Sequence, residues 1–169
     1  MARPIFLIGF MCSGKSRIGR ELAQELGWRL VDIDRAVEAR VGPLVPYFQD
    51  HGEEAFRERE REVLLDLLAE QDLVVSTGGG TPMDGDNMDR MLAAGPVVYL
   101  DVPLDALMPR IIRAGGDRPL LLGLQGEALR SRVEQLLALR LPAYARASHA
   151  VDADGNPAEV ARRIQQALG

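Results

Sequence analysis

Short apolar runs alternate along the chain with segments whose apolar residues recur at helical spacing. The runs Ile5–Gly9, Leu30–Asp34, Leu73–Ser76, Val97–Asp101 and His149–Asp152 are short enough for buried strands. Between and after them, helical spacing covers Lys15–Leu26, Glu53–Glu70, Asp86–Ala94, Leu104–Arg113, Glu127–Arg146 and Pro157–Leu168. Ile18, Leu22 and Leu26 share one face of the first, and Pro157 takes a first-turn position that tolerates it. Such alternation implies a parallel sheet covered by helices on both faces. The expectation is an α/β fold: one domain over residues 1–169, three-layer α/β/α, with a central five-stranded parallel sheet. Ligands of such sheets bind beyond the carboxyl ends of the strands. Three glycine- and proline-rich segments fall between predicted elements: Gly42–Pro46, Gly78–Pro82 and Ala114–Gly123.

The loop after the first run is Gly9-Phe10-Met11-Cys12-Ser13-Gly14-Lys15-Ser16, a complete G-x-x-x-x-G-K-S. Strand before and helix after are the context this motif requires. Its backbone N–H groups, from Gly9, Met11, Cys12, Ser13 and Gly14 into the first helical residues Lys15, Ser16 and Arg17, are placed to curl around phosphate. The helix N-terminus adds orphan donors and a favourable dipole. Lys15 reaches β/γ phosphates and the Ser16 hydroxyl suits Mg²⁺.

Composition narrows the class. The chain has 169 residues, a formal net charge of −5 and one cysteine. The acidic balance argues against nonspecific nucleic-acid binding, which needs a basic surface. A single cysteine makes no internal disulfide, which favours a reducing compartment. Cys12 reads more readily as a small loop filler than as a redox thiol. There is no signal-peptide pattern and no apolar stretch near ~20 residues, so a cytoplasmic protein without a membrane partner is expected. No coiled coil or interface stripe stands out, so a monomer is expected.

Further candidates lie at the other loops. Asp32 and Asp34 end the second predicted strand, where a spacing of two places both carboxylates on one face. One suits water-mediated Mg²⁺ and the other a hydroxyl acceptor; the competing reading is that Asp34 caps a helix beginning at Arg35. Arg57 borders the apolar face formed by Phe56, Val63, Leu64, Leu67 and Leu68, with Glu60 three residues on to orient it. Taken alone, Arg57 reads as surface. Arg140 continues the stripe Leu129, Val133, Leu136, Leu137, and an inward arginine needs an anion, whether a side chain or a ligand carboxylate. Ser76-Thr77-Gly78-Gly79-Gly80-Thr81-Pro82 offers backbone donors to a small ligand. Arg118 sits in a glycine-containing segment suited to a lid. Arg113, ending a helix, either stacks on a base or caps carbonyls. His51 and His149 have no metal-ligand spacing.

Together these pieces resemble the shikimate kinase family, within the P-loop small-molecule kinases. The likeness runs through Gly9–Ser16, Asp32-Ile33-Asp34, Gly52-Glu53-Glu54-Ala55-Phe56-Arg57, Ser76–Gly80, Arg118-Pro119-Leu120-Leu121 and Arg140-Leu141-Pro142-Ala143-Tyr144. It implies ATP-dependent phosphorylation of the 3-hydroxyl of shikimate, with Mg²⁺. Asp34 would contact the acceptor hydroxyl. Arg57 and Arg140 would clamp the carboxylate, with Gly79 and Gly80 beside it and Phe48 and Phe56 as walls. Lys15 and Arg118 would stabilise the moving phosphoryl group, Ser16 and Asp32 would serve the metal, and Arg113 would match the adenine-stacking position. The resemblance also implies a helical substrate region near 35–62 and a lid near 114–123. Arg17 departs from the family's usual threonine, and Ala114–Pro119 looks shorter than in some relatives. Rival readings are a kinase for another hydroxy acid such as gluconate, a nucleoside monophosphate kinase, and a noncatalytic ATP-binding module.

Overall fold

The computed structural model describes residues 1–115 and 118–169. Among the described residues five strands form, β1 (Ile5–Ile8), β2 (Arg29–Asp32), β3 (Leu73–Ser76), β4 (Val97–Asp101) and β5 (His149–Asp152). They pair in parallel in the order β2-β3-β1-β4-β5. Leu7 stands opposite Ser76, and Ile8 opposite Tyr99. β1 and β3 are buried end to end, as a sheet covered on both faces demands. Each Phe, Leu, Ile or Val removed from water there contributes roughly 1.5–3 kcal/mol before entropy is counted.

The helices are α1 (Lys15–Leu26), α2 (Ile33–Val41), α3 (Leu44–Leu67), α4 (Asn87–Ala94), α5 (Leu104–Ala114), α6 (Gly126–Tyr144) and α7 (Pro157–Leu168), with 3₁₀ turns at Thr81–Met83 and Pro119–Leu121. From β1 the chain moves to the β2 edge, then turns back through β3 towards β4 and β5. Right-handed crossovers therefore place α1 on one face and the connections after β2 on the other. After β5, α7 returns to pack on α1. The direction reverses between the neighbours β1 and β3, which opens a crevice beyond their carboxyl ends. The phosphate loop and the triple-glycine loop meet there.

Two expectations need correction. The second strand stops at Asp32, so Asp32 and Asp34 do not share a strand face. Asp32 is instead the N-cap of α2, accepting from the Arg35 N–H at 3.3 Å, and Asp34 lies in the helix's first turn. The capping reading was right in kind but assigned to the wrong aspartate. Secondly, the helix expected from Glu53 does begin after Gly52, but a further helical stretch from Leu44, separated from α2 only by Gly42–Pro43, precedes it and joins it across that non-helical residue. At Gly52 (φ 85°, ψ 172°) α3 kinks. The expected lid includes Gly116 and Asp117, which lie outside the described residues; Pro119–Leu121 turns back over the sheet's carboxyl edge. Among the described residues no helix is long and apolar enough to cross a membrane.

Candidate active site

Gly14, at φ 98°, caps α1 in a conformation that glycine adopts without a Cβ penalty, and it turns the loop into the helix. Lys15 is buried, and its ammonium donates to the carbonyls of Gly9 (2.7 Å) and Phe10 (2.9 Å). Burial pulls its pKa down to about 8; Asp34 opposes that, while Arg118 and Arg140 add to it. The Ser16 hydroxyl donates to Asp32 Oδ2 and lies 3.4 Å from the Ser76 hydroxyl. These are hard oxygen donors, a set that fits Mg²⁺. Among the described residues no group of three or more His, Cys, Asp or Glu is gathered for a metal.

One cavity is lined by Asp34, Phe48, Phe56, Arg57, Gly79, Gly80, Arg118 and Arg140. Every residue expected at the substrate is in that set. The cleft beside it is lined by Met11, Cys12, Gly14, Lys15, Ser16, Arg17, Asp32, Asp34 and Arg118. Met11, Asp34, Gly79 and Arg118 border both, so they form the wall between an acceptor space and a phosphate space. Gly9 lies behind the loop, packed on Leu100. Cys12 takes φ 64°, and Arg118 Nη2 is 3.7 Å from its sulfur.

The two clamp arginines are held differently. Arg57 donates to Glu60 Oε1 at 2.9 Å, and Glu60 is fully buried. Burial disfavours the Arg57 cation, but Glu60 and Glu53 outweigh it and raise its pKa. Arg140 is 6% exposed, and its Nη1 has no hydrogen-bond partner among the described residues. Its guanidinium carbon lies 5.4 Å from the Phe10 ring centre, and burial lowers its pKa. The glycines let both arginines approach. A Cβ on Gly79 would stand 2.8 Å from Arg140 Nη1, and one on Gly80 would lie 2.6 Å from Arg57 Cζ. Phe48 and Phe56 pack with ring centres 5.8 Å apart. Burial raises the Asp34 pKa, with Asp32 adding to it and Lys15 and Arg118 opposing.

A third cleft, of about 560 Å³, adjoins Cys12, Ser13 and Gly14 and extends to Arg110, Arg113, Ala153, Gly155 and Pro157. The loop after β5 thus edges it. Arg113 stands exposed at its rim. Arg110 is the better held: it donates to the Cys12 carbonyl (3.2 Å) and to Asp154 (3.1 Å).

Residues 11–169 match the family model for shikimate kinase. A shikimate kinase from Parabacteroides distasonis is 41% identical over 153 residues, spanning 90% of this chain and 88% of its own. The chain belongs to the shikimate kinase family. Solved shikimate kinases superpose closely. That of Bacteroides thetaiotaomicron has a TM-score of 0.91 at 34% identity, covering 98% of both chains. That of Acinetobacter baumannii, in complex with shikimate, also reaches 0.91 at 33% identity, covering 99% of this chain and 93% of its own.

Against this shikimate kinase frame, two residues escaped the sequence reading. Arg110 is one helical turn before Arg113, and their i, i+3 spacing is the signal that could have paired them on the cleft-facing side. In the sequence Tyr144 stands out only as the end of Arg140-Leu141-Pro142-Ala143-Tyr144. Its hydroxyl is buried against the triple-glycine loop, and nothing in the sequence gives that contact.

Proposed function

We propose that the chain transfers the γ-phosphoryl group of ATP to the 3-hydroxyl of shikimate, giving shikimate 3-phosphate and ADP on the route to chorismate and the aromatic amino acids. One observation carries this reading. Asp34 stands on the wall shared by two cavities, with Lys15 on the phosphate side and Arg57 and Arg140 on the other. A hydroxy acid gripped at its carboxylate by two guanidinium groups would turn its hydroxyl towards Asp34 and the phosphate loop.

The roles follow from chemistry. Asp34 orients the hydroxyl and accepts its proton as the O–P bond forms; its raised pKa suits the proton's arrival. Lys15 and Arg118 offset charge on the phosphoryl oxygens in a step that needs positioning more than covalent help. Mg²⁺ would be held by Ser16, with Asp32 supporting its water shell, and would neutralise phosphate charge. Phe48 and Phe56 wall the ring, and Gly79 and Gly80 bring backbone close to the carboxylate. Met11 to Arg17 cradle phosphate. Arg113 would take the adenine-stacking position, with Arg110 lining the same cleft beside it. The reading extends to a cytoplasmic monomer with a lid around Arg118.

The test is a coupled ADP-release assay with ATP, Mg²⁺ and a panel of hydroxy acids. Release that depends on shikimate is expected. Turnover on gluconate with none on shikimate would reject the proposal.

A further inference from the structure

We infer that Tyr144 is a positioning residue for the carboxylate clamp, holding the triple-glycine loop and Arg140 as one unit through its hydroxyl. This rests on the reading of Arg140 as a clamp and goes beyond it.

Tyr144 lies one turn after Arg140 on α6, so the two side chains share a helix face. It is 1% exposed. Its hydroxyl donates to the Gly79 carbonyl at 2.6 Å, across a sequence separation of 65 residues. Its ring stacks on Tyr99 of β4, with centres 5.1 Å apart and planes 22° from parallel. A ring fixed on the sheet gives the hydroxyl one direction. Burial pushes its pKa up to about 12, so it remains a neutral donor at working pH.

The anchored atom matters because of what lies on Gly79's other side. A Cβ on Gly79 would stand 2.8 Å from Arg140 Nη1, so the guanidinium occupies the space a side chain at this position would take. The rest of the loop is tied elsewhere. The Gly78 N–H donates to Thr81 Oγ1 at 2.9 Å, and the Asn87 amide donates to the Thr81 carbonyl at 3.0 Å. Neither bond touches the Gly79 carbonyl. Without the tyrosine hydroxyl the Gly79 carbonyl has no hydrogen-bond partner among the described residues, and the loop beside Arg140, whose Nη1 is likewise unpartnered among them, loses its tie to α6. A preorganised clamp binds more tightly than one ordered by its ligand.

Tyr144→Phe keeps the stacked ring and removes only the hydroxyl. The expected result is a KM for shikimate raised about three- to ten-fold, the range for one net hydrogen bond, with the KM for ATP changed less than about two-fold. Arg140→Ala is measured beside it. In an Arg140→Ala background, adding Tyr144→Phe should cost little more, because its effect passes through the arginine. An unchanged shikimate KM in Tyr144→Phe overturns the inference. So does a parallel rise in both KM values, or a melting temperature lowered by more than about 8 °C, since the hydroxyl would then serve the core. If Arg140→Ala itself leaves the shikimate KM unchanged, the clamp reading fails, which is a separate outcome. Gly79→Ala gives an independent check: its new Cβ should displace the Arg140 guanidinium and raise the shikimate KM selectively. An Arg140 unaffected by that methyl would remove the contact on which Tyr144 acts.

Discussion

Arg140 carries a buried cation with no ion-pair carboxylate among the described residues. Arg57 has Glu60 at 2.9 Å, whereas Arg140 has the Phe10 ring and the side-chain-free space at Gly79. The fold leaves one arginine satisfied and the other waiting, which is what an anion site requires. Arg140→Ala should weaken shikimate binding by about 2–4 kcal/mol, the range for truncating one partner of a buried charge pair. Titration calorimetry of a folded variant checks this, and unchanged affinity would remove Arg140 from the clamp. Lys15 gives a pH dependence. Its ligand-free pKa of about 8 lies below the ordinary 10.5, so folding disfavours the ammonium. Between these values the unfolded chain binds the extra proton, and the ligand-free protein gains stability from this group as pH rises. Nucleotide binding runs the other way. Phosphate charge favours the ammonium, so ATP binding at about pH 8.5 should draw a proton onto Lys15, and affinity should fall as pH rises further. Calorimetry in buffers of different ionisation enthalpy reads that uptake directly. Zero uptake would place Lys15 away from the phosphates. For Asp34 the sign is opposite, because burial raises its pKa. Between its ordinary and raised values the native state binds the extra proton, and the contribution to stability falls with rising pH. Asp34→Asn should therefore raise the melting temperature of the ligand-free chain while abolishing most turnover and sparing ATP binding. An equal loss of ATP affinity would make Asp34 a nucleotide ligand instead.

At the scale of elements, the kink in α3 sets the width of the acceptor cavity. Phe48 lies before Gly52 and Phe56 and Arg57 after it, and all three line the same space. A Cβ on Gly52 would meet nothing within 4 Å, so substitution there meets backbone strain alone. Gly52→Ala should cost about 1–3 kcal/mol, the cost of a non-glycine residue in that conformation, and raise the shikimate KM as the aromatic walls shift. The urea midpoint measures the first effect; an unchanged midpoint would mean the helix straightens without penalty. The kink also shows where the sequence was silent. Gly52 marked a motif, but a glycine inside a helical pattern looks the same whether it bends the helix or starts it. Leu44 to Gln49 continue the helix across a proline-flanked segment that reads as loop. The start of α2 was hidden for a related reason. Val31 and Ile33 alternate as strand residues do, and Ile33 is fully buried, so burial pattern alone cannot separate strand end from helix start. By contrast β1, β3 and β4 were legible because apolar runs of this kind need burial on both faces, whereas β5, largely exposed at the sheet edge, was legible only from the alternation of the elements around it. The phosphate loop was legible because its chemistry fixes its spacing. Arg110 and Tyr144 were not, since each earns its place through a contact with a distant loop.

For the whole molecule, both cavities hang from one sheet. The phosphate loop leaves β1 and the glycine loop leaves β3, which are hydrogen-bonded neighbours, and four residues border both spaces. A ligand in either space is thus linked to the same folding unit. Trp28, the one tryptophan, tests this from a distance. It sits just before β2, at the sheet end opposite the ligand loops, and packs against the core. Shikimate at 100 times its Kd should stabilise the native state by about 2.7 kcal/mol, an upward shift of roughly 5–11 °C for a chain of this size. If the unit is cooperative, Trp28 fluorescence and far-ultraviolet circular dichroism must move together by that amount, although the ligand never touches the tryptophan. A circular-dichroism transition that shifts while Trp28 melts at its ligand-free temperature would mean that the sheet end around Trp28 unfolds on its own. The clamp, the kink and the sheet would then be separately stable pieces, and shikimate would stabilise the first two without the third.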